Sequence, residues 1–560
     1  MRINKFRKMD VNQTIVKILE DIGVDHVFGG SGQVNATMLL SLRDSKKIKT
    51  AIVRNEQAAS FMACGYAMFS DKLGVCFATG GPGAFNLFSG LAVAYSDSLP
   101  VLAITGYTSL DQRGKGALNE STGLSRTPDS HLMFSATTKK SFIVEDPKDT
   151  CDILEEAINI AFNGRPGPVH IHIPKDITVA EVKNFRPINV NIEKILPSEE
   201  SIIKASGLIA EAIKNKKKIL TIIGYGAIRS NAKNELLEFV QSFNIPFVHT
   251  MDAKGLLPEN SPLCLGVYGT SGDFAANEYF SQADVVIAIG NSFAQNATFG
   301  FKANLFNGKE LIHINIDPHE INKVYPANVA VVSDVKPAFQ QIIRRLKELN
   351  LLPISNNLPV GRYYDMQPAE LLPSGKINPG NMVRILSDNL PENAIVLGDA
   401  GSHMLWLSCY LKLNKNQRYQ NPGSFGPMAS HTNGAIGVKC ANPDKIVISG
   451  SGDGCYQMAG FELMTAVQYD IPVIWIIFNN GEFNVIKKFL LNMTGDQAFM
   501  QFNNPDFVKY AEACGATGIR VEKEVDFAPA LQKAIALNKP VIIDVIVESE
   551  VYPPFALGKV

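Results

Sequence analysis

Ile446-Val447-Ile448-Ser449-Gly450-Ser451-Gly452-Asp453-Gly454, followed after a helix-length segment by Ile471-Pro472-Val473-Ile474-Trp475-Ile476-Ile477-Phe478-Asn479-Asn480, is the stretch whose reading decides the fold. A β-branched apolar run ends in a tight glycine turn, a helix follows, and a second apolar run opens behind a proline. The same plan occurs near the other end of the chain. There Val75-Cys76-Phe77-Ala78 runs into Thr79-Gly80-Gly81-Pro82-Gly83, and Tyr95-Ser96-Asp97-Ser98-Leu99-Pro100-Val101 opens the next run. Two ordinary strand-turn-helix units could coincide in this way; two related α/β domains at the chain ends is the reading taken here. Further short apolar runs, such as Ile219–Ile223, Val285–Ile289 and Leu311–Ile316, alternate with amphipathic segments throughout. That alternation is the pattern of parallel sheets covered by helices.

The chain has 560 residues, and at about 150 residues per domain that length allows three or four domains. Asn184-Phe185-Arg186-Pro187-Ile188-Asn189 and Leu352-Pro353-Ile354-Ser355-Asn356-Asn357-Leu358-Pro359 read as linkers. The expected architecture is α/β, with three doubly wound parallel-sheet domains near 1–185, 190–350 and 360–560. With 46% hydrophobic and 19% charged residues, general disorder is excluded. The net charge of −1 provides no basic surface for nucleic acid or an anionic membrane. Met1–Asp10 is basic but leads into no signal-length apolar stretch, and Ile471–Phe478 is far short of the roughly 20 residues of a membrane span. Eight scattered cysteines without C-x-x-C spacing suit reduced thiols in a cytoplasmic protein.

Gly452-Asp453-Gly454 after one strand and Asn479-Asn480 after the next carry the chemistry. Glycines let backbone approach a diphosphate, and the following helix start offers N–H groups to it. Asp453 offers a carboxylate and Asn480 an amide oxygen to a hard cation such as Mg²⁺. A capped turn and an Asn turn would explain either element alone. Together they resemble the thiamine diphosphate-dependent family of acetohydroxyacid synthase, pyruvate oxidase and pyruvate decarboxylase, whose signature is GDG followed by NN. The pattern is nearest to acetolactate synthase large subunits.

The resemblance implies that Asp453, Asn480 and the carbonyl of Glu482 bind Mg²⁺, and that Gly454 and Cys455 touch the diphosphate, Cys455 standing where Ser is usual. Gly398-Asp399-Ala400-Gly401-Ser402-His403 resembles the family's diphosphate loop, implying Gly401, Ser402 and His403. Ser424-Phe425-Gly426-Pro427-Met428 resembles the segment in which Gly426 would accept from the pyrimidine amine and Met428 would bend the cofactor. Gly80–Asn86 is similar to the SGPGATN turn, making Asn86 cofactor-facing. Val53-Arg54-Asn55-Glu56 is similar to the segment whose glutamate hydrogen-bonds the aminopyrimidine. From the residues alone, Glu56 opens a small-residue helix whose burial would raise its pKa, but without the resemblance an exposed helix-start Glu favoured by the dipole is the stronger reading. In the family the Glu56 and Asp453 sites come from different subunits, so a homodimer or homotetramer is expected.

Substrate choice rests on residues that depart from the pattern. Gln33 falls where related decarboxylases carry an acid or a serine, and is expected to position the acceptor or the adduct. Leu118 and Asn119 stand where acetohydroxyacid synthases carry Phe and Gln; Val485, Ile486 and Phe489 would face the pocket or form a helix core stripe. The middle domain has Gly224-Tyr225-Gly226 but no third glycine, and Ser292-Phe293-Ala294-Gln295-Asn296 replaces the R-F-D-D-R run of flavin-binding relatives. FAD is therefore doubtful; a structural nucleotide or nothing fits as well. The function implied is a carboligase that decarboxylates a 2-oxo acid such as pyruvate and transfers the acyl unit to a carbonyl acceptor. Alternatives are a non-ligating decarboxylase or C–C lyase/hydrolase on the same cofactor, and a cofactor-binding relative with a structural role.

Overall fold

In a computed structural model, residues 9–366, 372, 374–414 and 416–554 are described; Met1–Lys8 of the basic N-terminal segment lie outside them. Three six-stranded sheets follow one another along the chain, and every strand pair within them is parallel. Met9–Asp10 pairs antiparallel with Glu181–Val182 and closes the first sheet's domain on itself.

Counted within each sheet, the two outer sheets share the strand order 2-1-3-4-6-5. In the N-terminal sheet, His26–Gly29 is strand 1 and Gly74–Ala78 is strand 3. In the C-terminal sheet these positions belong to Ala394–Gly398 and Ile446–Gly452. The order reverses between strands 1 and 3, and the loops that leave their carboxyl ends diverge to either side of the sheet. Open α/β sheets bind ligands in the crevice this makes. The middle sheet has the order 3-2-1-4-5-6, with its reversal between Ile219–Ile223 and Val285–Ile289.

The outer domains share one apolar core. Its centre is the crossing of helix Glu56–Met68 with helix Ser430–Ala441. Glycine makes the crossing possible: a methyl on Gly437 would stand 1.8 Å from the Met62 carbonyl oxygen, and one on Gly65 would stand 2.2 Å from that of Gly434. The small residues after Glu56 thus bury a helix against a neighbouring backbone. All eight cysteines are unpaired. Among the described residues, no helix is long and apolar enough to cross a membrane.

Candidate functional site

Two clusters form at the crevices of the outer sheets. In the N-terminal cluster Glu56 is the first residue of its helix, capped by Asn55, whose side chain accepts from the Gln57 N–H at 2.8 Å. The carboxylate lies half-buried between two switch-point loops. A methyl on Gly30 would come 2.7 Å from its Cγ and Oε1, and one on Gly83 would come 2.9 Å from Oε1. Asn86 Nδ2 donates to Oε2 at 2.9 Å, so Oε1 is the atom left toward the crevice. Asn86, expected from the sequence to face the cofactor, thus lies beside Glu56. The helix behind Glu56 is buried as expected, whereas Glu56 itself is only half-covered, because the first residue of a helix at an open crevice has protein on one side only.

Gln33 is exposed on the Gly30–Asn35 loop. That loop is stitched by Asn35, which the sequence reading passed over. Its Nδ2 donates to the Gly30 carbonyl at 2.9 Å, and its Oδ1 accepts from the Gly32 N–H at 2.8 Å. Asn119 has a left-handed backbone (φ 61°), and its carbonyl oxygen would meet a methyl on Gly81 at 2.7 Å. Leu118 beside it is 75% exposed.

In the C-terminal cluster Asp453 opens the helix Asp453–Ala459 directly after its strand. Its Oδ1 accepts from the Gly454 N–H at 2.9 Å; Oδ2 accepts from the N–H groups of Asn480 (3.0 Å) and Gly481 (2.6 Å) and from Asn504 Nδ2 (2.8 Å). Burial pushes the carboxyl's pKa up, against the hydrogen bonds from Asn504 and the backbone. Asn504, absent from the sequence reading, also donates to Asn479 Oδ1 at 2.8 Å, so it locks the two signature loops to each other. The Glu482 side chain points inward to a buried pair with Lys487 Nζ at 2.9 Å, leaving only its carbonyl for the crevice, where it accepts from the Asn484 N–H at 3.0 Å.

The loop after strand 1 brings Gly401, Ser402 and His403 alongside. A methyl on Gly401 or on Gly452 would press on the His403 ring, at 2.7 and 2.9 Å. His403 is buried and held neutral, its pKa lowered to about 3 by burial, and its Nε2 has no partner. Ser402 Oγ donates to Asn484 Oδ1 at 2.9 Å, and the Cys455 thiol to the Ala400 carbonyl at 3.0 Å. Asp399, quoted in the sequence but given no role, is fully buried. It accepts from the Ala400 N–H (2.7 Å) and the Thr432 N–H (2.9 Å), tying this loop to the helix that follows Met428. Gly426 is left-handed (φ 50°) and Met428 half-buried in the turn before that helix. Val485 and Met404 both pack against a small cluster of Met251, Val267 and Leu405, while Ile486 and Phe489 are exposed.

Among the contacts that join the chain's own outer domains, one from a carboxylate behind these clusters leads directly into Glu56. Glu462 Oε1 accepts from the N–H groups of Arg54 (2.9 Å) and Asn55 (3.0 Å), the residues that lead into Glu56, while Thr465 Oγ1 donates to Oε2 at 2.5 Å. Burial raises the Glu462 pKa, opposed by these bonds. Among the described residues, no hydrogen bond joins Glu56 or Asn86 to the Asp453 loops.

The residues fit a metal-bound diphosphate. One carboxylate, one amide oxygen and one carbonyl form an oxygen set for Mg²⁺, which keeps further positions for phosphate and water. The glycines leave room for backbone approach, and the His403 ring, whose buried Nε2 is unpartnered, lies between two of them through its Cε1 and Nδ1 atoms. A cavity of about 1690 Å³ opens at the middle sheet's reversal, lined by Gly224, Gly290 and the Ser292–Asn296 segment, and reaches Gly401 and Val485 of the C-terminal cluster. Tyr225 Oη, Tyr268 Oη, Asn291 Nδ2 and Asn421 Oδ1, all on residues lining it, are buried without partners.

Models of three thiamine pyrophosphate enzyme domains match the chain in order. The N-terminal binding domain covers residues 9–125, the central domain 208–342 and the C-terminal binding domain 399–545. The chain is 33% identical to the acetolactate synthase large subunit of Corynebacterium glutamicum over 576 residues, covering 98% of this chain and 89% of that protein. It is 33% identical to a probable acetolactate synthase large subunit of Methanocaldococcus jannaschii (96% and 91% covered) and 34% identical to the acetolactate synthase large subunit of Pyropia yezoensis (96% and 92%).

Proposed function

The chain belongs to the thiamine pyrophosphate enzyme family, in its acetolactate synthase-like branch, and we propose that it is a Mg²⁺-dependent carboligase that decarboxylates a 2-oxo acid and joins the remaining acyl unit to a second carbonyl. The observation that carries the reading is the pair of crevice clusters. One offers a single carboxylate oxygen, Glu56 Oε1, between two glycines; the other offers Asp453, Asn480 and glycine backbone. Segment 1–185 would hold the pyrimidine end of the cofactor and segment 360–560 its diphosphate end.

Thiamine diphosphate, when bound, supplies an acidic carbon that adds to a 2-oxo acid carbonyl and an electron sink for the loss of CO₂. The chain supplies position and protons. Asp453, Asn480 and the Glu482 carbonyl hold Mg²⁺; Gly401, Ser402, His403, Gly454 and Cys455 line the diphosphate. Gly426 would accept from the pyrimidine amine, and Met428 would lie against the cofactor. Glu56 takes and returns a proton at Oε1 while Asn86 fixes Oε2. Gln33, Leu118, Asn119, Val485, Ile486 and Phe489 line the substrate side; a neutral amide at Gln33 orients a carboxylate or carbonyl without protonating it. A poorly proton-donating pocket favours ligation over simple protonation of the adduct.

A homodimer or homotetramer completes the site. The Glu56 and Asp453 clusters share no hydrogen bond within one chain, and Met458, Phe461 and Met464 are exposed on the helical segment that follows Asp453. The test is incubation with thiamine diphosphate, Mg²⁺ and pyruvate, following CO₂, acetolactate and acetaldehyde. Acetolactate equal to the CO₂ released, one for one, is expected from wild type and none from Glu56→Gln. Acetaldehyde without acetolactate would point instead to a non-ligating decarboxylase.

A further inference from the structure

The loop 113–122, which carries Leu118 and Asn119, is braced internally. Buried Glu120 accepts from the N–H groups of Gly114 (2.5 Å), Gly116 (2.8 Å) and Ala117 (2.9 Å) and from Thr122 Oγ1 (2.7 Å). Among the described residues, the hydrogen bonds of 114–120 stay within the loop except two to its immediate neighbours, Lys115 N–H to the Gln112 carbonyl (3.2 Å) and Ser125 Oγ to the Gly114 carbonyl. Its other hydrogen bonds to the rest of the domain leave from its two ends.

Both ends lead to one buried side chain, His172. At the far end, the Ser130 N–H and Oγ donate to the Ser121 carbonyl at 2.9 and 3.0 Å, and Ser121 Oγ lies 2.9 Å from Ser130 Oγ. Ser130 Oγ is 3.3 Å from His172 Nε2. At the near end, the Arg113 guanidinium lies over the Tyr107 ring (5.2 Å), and that ring packs on His172 (4.3 Å). Arg113 also pairs with Glu145.

Behind His172 a polar chain crosses three strands. Thr105 Oγ1 bridges His172 Nδ1 (2.9 Å) and His170 Nε2 (2.8 Å), and Ser141 Oγ bridges His170 Nδ1 (2.8 Å) and His131 Nδ1 (3.1 Å). With the single Ser130 hydroxyl proton placed on the Ser121 carbonyl, one consistent assignment has His172 Nε2–H donating to Ser130, Thr105 to His172 Nδ1, His170 Nε2–H to Thr105, and Ser141 to His170 Nδ1. Burying two imidazoles is costly unless both nitrogens of each are bonded, and here they are. His170 is further held face to face with Phe134, centroids 3.6 Å apart.

We propose that His172 is a positioning residue for the substrate side of the crevice, fixing through Ser130 and Tyr107 the loop that places Asn119 against the Gly80-Gly81 turn. This rests on the pocket role given to Asn119 above.

The test uses the full chain in three forms: wild type, His172→Ala, and His172→Gln, whose amide nitrogen reaches the Nε2 position. Hydrogen–deuterium exchange is measured without cofactor. His172→Ala should speed exchange in peptides spanning 114–122 by about fivefold or more, as for the loss of one net hydrogen bond, and His172→Gln should restore protection. With thiamine diphosphate and Mg²⁺, His172→Ala should raise the pyruvate KM by a similar factor, with kcat within about twofold of wild type, and His172→Gln should reverse it. Unchanged exchange at 114–122, or faster exchange without a change in KM, would overturn the proposal. Ser130→Ala, which removes only the last link, replaces His172→Ala if that variant loses its native circular dichroism. If the wild type turns over no 2-oxo acid, the functional reading fails, while exchange still decides whether His172 places the loop.

Discussion

Replacing Glu462 should disable the enzyme although this residue is far along the chain from Glu56. Its Oε1 accepts both N–H groups that lead into Glu56, at 2.9 and 3.0 Å. Hydrogen bonds to a charged acceptor contribute roughly 1.5–3 kcal/mol each. Glu462→Ala removes two of them and leaves two half-covered N–H groups without this partner, offset in part because a carboxylate whose pKa burial raises no longer has to be desolvated. The net loss is about 2–4 kcal/mol, concentrated where Glu56 starts its helix. A displacement of about 1 Å at a reacting group costs on the order of 10² in rate, and 1.36 kcal/mol is tenfold. Glu462→Ala should therefore lower kcat for CO₂ release from pyruvate by on the order of 10². Glu462→Gln keeps a neutral acceptor for both N–H groups and a donor for Thr465, and should stay within about tenfold of wild type. Wild-type kcat in a folded Glu462→Ala enzyme would refute the view that this contact sets Glu56.

Asn504→Ala removes the amide that ties Asp453 Oδ2 to Asn479, and should raise the Mg²⁺ concentration for half-maximal activity by about tenfold or more, as loss of a support behind a metal ligand does; metal titration of the rate measures this. Gly437→Ala places a methyl 1.8 Å from the Met62 carbonyl and should force the two central helices apart, lowering the thermal midpoint and the soluble yield, whereas Gly207→Ala, with open space around it, should not. Asp97 has its pKa raised to about 7, by burial and then by the charge of Asp252. The folded state therefore binds a proton that the unfolded chain gives up near pH 3.8, and stability falls as pH rises between these values. Asp97→Asn should raise the unfolding midpoint at pH 8 and change it little at pH 4, as thermal denaturation at the two pH values would record.

Much of the candidate site could be read from the sequence because its parts are local. Gly452-Asp453-Gly454 and Asn479-Asn480 sit at strand ends, where glycine and a lone carboxylate have few structural uses that explain both together. Asn504, Asn35, Asp399 and Glu462 went unread for the opposite reason. Each is a common surface or turn residue type in its own segment, and its role appears only when folding brings a distant loop to it, as Glu462 meets Arg54 and Asn55. Nothing in the spacing of the histidines of Val169-His170-Ile171-His172-Ile173 announces a hydrogen-bond chain through Thr105 and Ser141.

The sequence by itself determined the α/β class, the repeated plan of the outer domains and the residues of the signature loops, since these follow from side-chain periodicity and from glycine's freedom at strand ends. Tertiary structure alone decided that the outer sheets share one strand order, that helices Glu56–Met68 and Ser430–Ala441 cross on bare glycine backbone, and that Glu56 presents Oε1 while Asn86 occupies Oε2. Those outcomes depend on contacts between segments hundreds of residues apart. Such contacts are set by close packing and by the pairing of buried polar groups, which local sequence patterns do not encode.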